Sequence, residues 1–566
     1  MRFEAIPDQT TVLVVGAGPI GLLASVLLQQ QGIDHVLIER RDEVQEAPAA
    51  HVVNARTFEI LRAAGIDMDR LLAACRPTAD GWTRWVTALT GEELGCLEYE
   101  RQQQVEALHD ITPTPLRNLS QHLLEPILRD HAQQLVTGTE WQSATHDDSG
   151  IVTTVRNVAD GTERTIHSRY VIAADGAGSR VRKWTGIEME GPQRLQAFIA
   201  IHVAADLRHL VAHRPATLYW MIDPEIGGTY LAHDIDGTWV YMTTWDPDTE
   251  SIEDYTDERC LAMFRRGIGA EVANLELRTV SSWNMSSQIA ATYSQDNVFL
   301  AGDAAHRFPP TGGMGLNTGA ADVQNLVWKL AAVEHGWAEP SLLQTYGPER
   351  RRVAEVNAEK SLENAMKMFE VIMALGADPD PAVSKANYER AIGTTEGRAA
   401  LSAAIENQAE HFDMLGLQLG FVYPAEAGIT IDDHTELPVP TDIVREYLPT
   451  THPGARLPHA WVQRNGERIS TLDLVPLDRF VLLTSSPAWA DAGRTITGGS
   501  IPLDVVLIGS DVHDTEGHWA RASDLPIDGA IIVRPDQHVG ARMAHVADDM
   551  SQWLLDALRR MTLAAQ

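Results

Sequence analysis

The hydrophobic pattern of the chain changes period several times, and each change marks an element. Thr11–Val15 is a β-rich run that leads into GAGPIG; the helix after it runs through Leu22 to Gln31 and stops at Gly32. His35–Ile38 reads as a second strand, closed by Glu39. Asn54 reads as the N-cap of a helix that ends at Ala64, with Gly65 as its C′ residue. Arg117–Arg129 reads as a polar lead-in and a helix whose Leu123, Leu124, Ile127 and Leu128 face inward. Residues 151–170 alternate like a meander, and Tyr170–Ala174 form a buried strand closed by Asp175-Gly176. From about 190 to 290, aromatic and β-branched runs separated by turn signals predict a mostly antiparallel sheet that carries Tyr219, Trp220, Tyr230, Tyr241 and Trp245. Val298–Ala301 is again a short buried strand, ended by Gly302-Asp303. A loop of Pro309, Pro310, Gly312, Gly313 and Gly315 follows. Val323, Leu326, Val327 and Leu330 then recur at i, i+3, i+4 and i+7, a helix with one apolar face. Residues 340–420 read as largely helical. After the Pro-rich ELPVPTD, strands at Phe480–Thr484, Asp504–Ile508 and Ala530–Val533 and a final helix at Met550–Met561 predict a small α/β domain.

Two of these junctions carry chemistry. Gly16, Gly18 and Gly21 form GxGxxG between a strand and a helix, and the acidic Glu39 ends the next strand 18 residues after Gly21. The first glycine makes the tight turn, the second lets backbone approach a pyrophosphate, and the third lets helix and strand pack closely. Glu39 suits ribose hydroxyls and repels a 2′-phosphate, so the site wants the ADP half of FAD or NAD. The second junction runs from Asp303 through the glycine loop into a helix. It offers backbone N–H groups and the positive end of a helix dipole to an electron-rich ligand. Read without relatives, His51 is a loop histidine bonded to nearby backbone and Gln121 an ordinary helix residue.

Composition narrows the picture. The 566 residues favour two to four domains. A formal net charge of -33, from 45 basic and 78 acidic residues, argues against a nucleic-acid or anionic-membrane partner. Cys75, Cys96 and Cys260 form no CxxC, which favours a reducing cytoplasm, and the N-terminus lacks the pattern of a signal peptide. Thr11–Leu28 is apolar enough to suggest a membrane span, but its glycines argue for strand plus helix. No HExxH, GxSxG or GxxxxGK motif occurs, and no metal site is expected.

GAGPIG with Glu39, ADG at 174–176 and AGDAAH at 301–306, in this order, resemble the motif triple of the single-component FAD-dependent aromatic hydroxylases, the p-hydroxybenzoate hydroxylase superfamily. HVVNARTFEILR (51–62), AHRPATLYW (212–220), AGDAAHRFPPTGGMGLNT (301–318) and NLVWKLA are similar to the phenol hydroxylase branch, in particular the dichlorophenol hydroxylases and 2-hydroxybiphenyl monooxygenase. The resemblance covers nearly the whole chain. It implies an α/β (α+β) fold: a Rossmann-type FAD-binding domain in two parts (1–189, and 291–425 with long helices), an inserted antiparallel-sheet substrate domain (190–290) and a C-terminal thioredoxin-like domain (435–566). No cysteine lies beyond Cys260, which excludes disulfide exchange in that last domain.

The resemblance also implies roles. Gly16, Gly18, Gly21 and Glu39, with Arg40 beside them, hold the adenosine diphosphate of FAD. Gln121 and Asp303 reach the ribityl and pyrophosphate region. Pro310 joins Gly313, Gly315, Leu316 and Asn317, whose backbone meets the flavin pyrimidine edge, and Asp175 sits in a motif linked to both FAD and NAD(P)H. His51 is the catalytic histidine that assists phenol deprotonation, with Asn118, Tyr219 and Pro309 also at the substrate. The implied reaction is hydroxylation of a phenolic or other aromatic substrate with NAD(P)H and O2, through a flavin C4a-hydroperoxide, by a cytoplasmic homodimer. A phenol of pKa about 10 is scarcely ionised at neutral pH, so a histidine base poised near neutrality is expected to help. Two positions depart from the family pattern. Ala49 replaces an arginine that contacts flavin and nicotinamide phosphates, so NADPH and NADH both stay open. Asn118 stands where the branch often has Asp. Two rival readings are a flavin halogenase, suggested by GWTRWV at 81–86 but with the wrong Trp spacing, and a non-catalytic flavin redox sensor.

Overall fold

The computed structural model describes residues 2–44, 50–75, 81–100, 105–148 and 150–564. Ala49 lies outside them.

The first sheet is ordered Ser294–Gln295, Val298–Leu300, Glu163–Ala173, Gln9–Val15, His35–Ile38, Leu135–Val136, and the meander strands Thr139–Asp147 and Gly150–Asn157 extend it from Glu163–Ala173. The central strands are parallel, with Val12 in register with both Tyr170 and His35. Helices cover both faces, so Val12–Val15 is buried throughout and needs no polar alternation. The three strand ends at Val15, Ile38 and Ala173 therefore lie side by side. This is why Gly16, Glu39 and Asp175, far apart in sequence, reach one edge.

The second sheet is ordered Glu276–Met285, Gln196–Ala204, Thr238–Trp245, Gly228–Asp234, Leu218–Met221, Trp82–Val86, Glu93–Glu98. Two of its strands come from 82–98, a stretch the sequence reading left with the first dinucleotide-binding part. Alternation decides its two faces. Ile199, Ile201, Tyr219, Tyr230, Trp239 and Tyr241 pack under the helix Asp257–Ile268 in a separate core. Their neighbours Ala200, Leu218, Trp220, Leu231, Val240 and Met242 turn to the other side, where they face a cavity.

The helix Met314–Glu334 is buried without a break from Asn317 to Val333. The sequence predicts one apolar face; the outer face is covered as well, by the long helix Tyr346–Ala374 and by the C-terminal domain. That domain holds a four-stranded sheet ordered Leu503–Leu507, Phe480–Thr484, Ala530–Val533, Val539–Met543, flanked by helices Pro487–Ile496 and Met550–Thr562. Its Phe480 packs edge-on against Trp328 and Trp337, joining the two cores. Charged groups close the seam. Arg534 donates to both oxygens of Glu349 at 2.6 and 2.9 Å, and Lys329 reaches the same carboxylate at 2.7 Å. Arg456 donates to Glu59 at 2.8 Å, and Arg56 reaches Gln537 and the Asp536 carbonyl, each at 2.8 Å. All these side chains are buried. Among the described residues, no helix is long and apolar enough to cross a membrane.

Candidate active site

The glycines of the first turn do different work. Gly16 has φ +97°, and a Cβ there would sit 2.4 Å from the Ala174 carbonyl oxygen. A Cβ at Gly21 would sit 1.8 Å from the Gly16 carbonyl oxygen, so this glycine lets the helix close onto the turn. Gly18 is different: nothing lies within 4 Å of its Cβ position, and it borders the cavity. No side chain caps the helix Pro19–Gln30, whose N-cap is Gly18. The helix Met314–Glu334 likewise begins at Gly313, in the left-handed region at φ +63°, with no side-chain cap. Two uncapped helix N-termini thus open onto one cavity of about 1020 Å³, each with free N–H groups and a positive dipole end.

The carboxylates around it are held unequally. Glu39 accepts from the Ala17 and Arg41 amides at 2.9 and 3.0 Å, which fixes its side chain at the rim beside Arg40. Asp175 accepts from the Arg180 and Val181 amides at 2.8 and 3.2 Å, capping the next helix, while its Oδ1 is buried without a hydrogen bond. Burial raises its pKa. Asp303 accepts no hydrogen bond from any described residue, opens onto the cavity, and also has its pKa raised by burial. Its side chain is exposed to the cavity, where a ligand's hydroxyls can meet a carboxyl that no described protein group pairs. Gln121 lines the same cavity and donates to Glu125 at 2.7 Å. Asp303, the open Gly18 position and the two helix ends fit FAD, with its hydroxyls, pyrophosphate and electron-rich pyrimidine edge.

Pro309, Pro310, Gly313, Gly315 and Leu316 border the cavity where its polar half meets its apolar half. Asn317 does not border it. Its side chain accepts from the Asn54 amide and Thr57 hydroxyl and donates to the Val52 and Gly313 carbonyls. It clips the glycine loop to the His51 loop. Tyr219, expected at the substrate, sits on the opposite face of its strand, fully buried, with its hydroxyl on the Arg214 carbonyl; Leu218 and Trp220 face the cavity instead. Asn118 is also off the cavity wall, but its Oδ1 takes the Nδ1 of His51 at 3.1 Å, so it orients that ring.

His51 does border the cavity. Burial pulls its pKa down to about 4, against a smaller upward pull from Asn118. The expectation of a base poised near neutrality is therefore corrected: the ring is neutral and only weakly basic, because burial disfavours its charged form and no described carboxylate offsets that. The same cavity is lined by residues the sequence reading did not select: His233, Tyr99, His411, Phe412 and Met414. Strand parity was the available signal for His233, since Tyr230 and Ala232 in the same strand are core. His411 and Phe412 stack at 4.3 Å from a short helical turn with no motif of its own.

Fold and cavity together define a dinucleotide-binding flavoprotein with an aromatic-sized apolar chamber against the cofactor site. Residues 9–361 match the FAD binding domain family and residues 450–564 match the aromatic-ring hydroxylase C-terminal family, so the chain belongs to the FAD-dependent aromatic-ring hydroxylases. It is similar to 2,4-dichlorophenol 6-monooxygenase of Delftia acidovorans, 31% identical over 99% of each chain. It is 34% identical to phenol 2-monooxygenase of Pseudomonas sp. (strain EST1001), over 97% of this chain and 92% of that one. Among solved structures it resembles the flavin-dependent monooxygenase PieE in complex with FAD and substrate, with a TM-score of 0.92 at 32% identity over 99% and 100% of the two chains. The chain is thus a flavoprotein monooxygenase acting on aromatic compounds, as the motifs led us to expect. The halogenase reading is not favoured: GWTRWV forms an inner strand of the second sheet, with Trp85 in an apolar cluster.

Proposed function

We propose that this enzyme hydroxylates a phenolic ring next to the flavin, using NAD(P)H and O2. The observation that carries this reading is the junction at His51. The cavity is lined by the uncapped helix ends and Asp303 and also by the apolar sheet face, with the His51 imidazole among its walls. FAD, once bound and reduced by NADPH or NADH, supplies an electrophilic oxygen derived from O2. The chain supplies the rest. Gly18, Glu39, Arg40 and Gln121 hold the adenosine and pyrophosphate, while Asp303 takes ribityl hydroxyls. Gly313, Gly315 and Leu316 present backbone to the pyrimidine edge, joined by the Asn317 backbone. Asp175, beside Arg180 at the cavity rim, is the group for the nicotinamide substrate. Leu218, Trp220, Phe412 and Pro309 wall the ring and exclude water.

His51 accepts the phenol O–H at Nε2, its Nδ1 being held by Asn118. It is not a proton sink on its own. Moving a proton from a phenol of pKa about 10 to a group of about 4 is uphill by about 8 kcal/mol. A second group has to stabilise the oxygen as its charge grows. The small C-terminal domain, with a mixed sheet and flanking helices, supports a thioredoxin-like reading without redox chemistry, and a cytoplasmic homodimer is part of the proposal. The experiment is a screen of phenols for stimulated NAD(P)H consumption and hydroxylated product on the FAD-loaded protein. Consumption that no phenol accelerates would overturn the reading.

A further inference from the structure

Beside His51 stands a histidine the proposed chemistry has not used. His233 stands on the strand Gly228–Asp234, on the same face as Thr229 and Leu231, and so borders the cavity although it is only 4% exposed. Its ring meets that of His51 edge-on, 5.3 Å between centroids. Its Nδ1 lies 2.8 Å from the hydroxyl of Ser120, which is itself buried and has no other hydrogen bond to a described residue. No described residue bonds to its Nε2.

The Ser120 contact sets the tautomer. If Nδ1 carried the proton, the serine O–H would be a buried donor with no acceptor. If the serine O–H donates to Nδ1, only a hydroxyl lone pair goes unused, the smaller penalty. Nδ1 is then the acceptor, and the proton of the neutral ring sits on Nε2, the nitrogen left for the cavity. The groups that face His233 are His51 from its loop, His122 from the helix Gln121–His131 and His202 from the strand Gln196–Ala204. Together with burial they hold its pKa well below the usual histidine value. Among the described residues no carboxylate offsets them, so the ring stays a neutral donor.

Resting on the phenol reading above, we propose that His233 is the hydrogen-bond donor for the substrate's phenolic oxygen, opposite His51, and that it selects substrates whose hydroxyl carries negative charge in the reaction. The contact makes and breaks no covalent bond. An Nε2–H bond to oxygen strengthens as that oxygen gains charge, so it favours the phenolate over the phenol. The assignment does not depend on which way the Asn118 amide is turned, because it uses only Ser120 and the His233 ring.

The test reads ionisation directly. FAD-loaded protein, without NAD(P)H, is titrated with 4-nitrophenol, and the phenolate absorbance gives the pKa of the bound ligand. His233→Leu should raise that bound pKa by about one unit, a tenfold shift. His233→Gln keeps an N–H donor and should recover most of the shift. Ser120→Ala frees Nδ1 and should move the bound pKa partway in the same direction, and it decides the matter if His233→Leu loses FAD or native circular dichroism. Wild-type bound pKa in the leucine and serine variants, or a glutamine variant as impaired as the leucine one, would overturn the assignment while leaving a phenol site intact. Failure of the wild-type protein to bind the nitrophenol at all would overturn the phenol reading, and this proposal with it.

Discussion

The first GxGxxG turn offers a test in which two neighbouring glycines must fail in opposite ways. At Gly18 the backbone is extended, ψ -178° with φ -69°, and no protein atom lies within 4 Å of a Cβ position. Gly18→Val should therefore leave the apoprotein close to wild type. Losing glycine's unfolded-state entropy stabilises by about 0.4–1 kcal/mol, and a poorer N-cap offsets a similar amount, so the net change stays within about 1 kcal/mol. The new side chain does project where a pyrophosphate approaches the helix end. Displacing it from two charge-assisted bonds of about 1.5–3 kcal/mol each weakens FAD by at least about 10²-fold. At free FAD of a hundred times the wild-type Kd, wild type gains ~2.7 kcal/mol from binding and the variant only ~0.4 kcal/mol. Gly21→Ala is the reverse. Its methyl group would lie 1.8 Å from the Gly16 carbonyl oxygen, so strand and helix must part. It should destabilise the apoprotein by about 1–3 kcal/mol or more. The assay is urea denaturation of both apoproteins with and without FAD. A Gly18→Val protein that keeps its full FAD gain, or a Gly21→Ala apoprotein as stable as wild type, would refute the reasoning.

Asp303→Ala should cut FAD affinity by about 10-fold or more, with apoprotein stability unchanged or higher because the carboxyl has no protein partner; equilibrium dialysis of FAD checks it. His51→Ala should bind FAD normally but hydroxylate about 10²-fold more slowly. Its deficit should shrink at higher pH and with more acidic phenols, which a pH-rate profile on two substrates reads. Glu59→Gln leaves Arg56 and Arg456 buried without their shared carboxylate, so denaturation should show a loss of about 3–5 kcal/mol. Glu349 is pushed up by burial but brought down to about 2 by Arg534 and Lys329. A depressed carboxyl stabilises above its unfolded pKa and loses that contribution as pH falls. The denaturation midpoint should therefore drop between pH of about 4.5 and about 2, and Glu349→Gln should flatten that slope.

The C-terminal domain shows why part of the fold was legible and its role was not. Its strands at Phe480–Thr484 and Ala530–Val533 stood out as apolar runs. The absence of cysteine beyond Cys260 removed redox exchange. Nothing local said that Arg456 would be buried against Glu59, 397 residues away, or Arg534 against Asp536 and against Glu349, 185 residues away. In one dimension these are ordinary surface charges. Only the pairing shows that they hold the helix carrying Arg56 and Glu59, and with it the His51 loop, against the cofactor helix. The continuous burial of Met314–Glu334 has the same cause: one apolar face was legible, and the domain that covers the rest lies about 200 residues on.

At the candidate site, legibility follows range. Gly16, Glu39, Asp175 and Asp303 were legible because each closes a strand, and parallel neighbours bring strand ends together without any further information. The substrate wall was not, because alternation gives two faces and does not say which is the core. The sequence reading puts Tyr219 on the substrate side, but the helix Asp257–Ile268 claims it, and Trp220 faces the cavity instead. Once that choice is made it propagates through the ladder. Tyr219 pairs with Tyr230 and Tyr230 with Tyr241, so one buried tyrosine sends all three to the core and turns Leu231 to the cavity. His233 sits where the pairing register shifts between Ala232 and Asp234, and it enters the site with no motif around it. A one-residue slip in that strand would put Ala232 beside His51, and the phenol oxygen would face a methyl group instead of a donor.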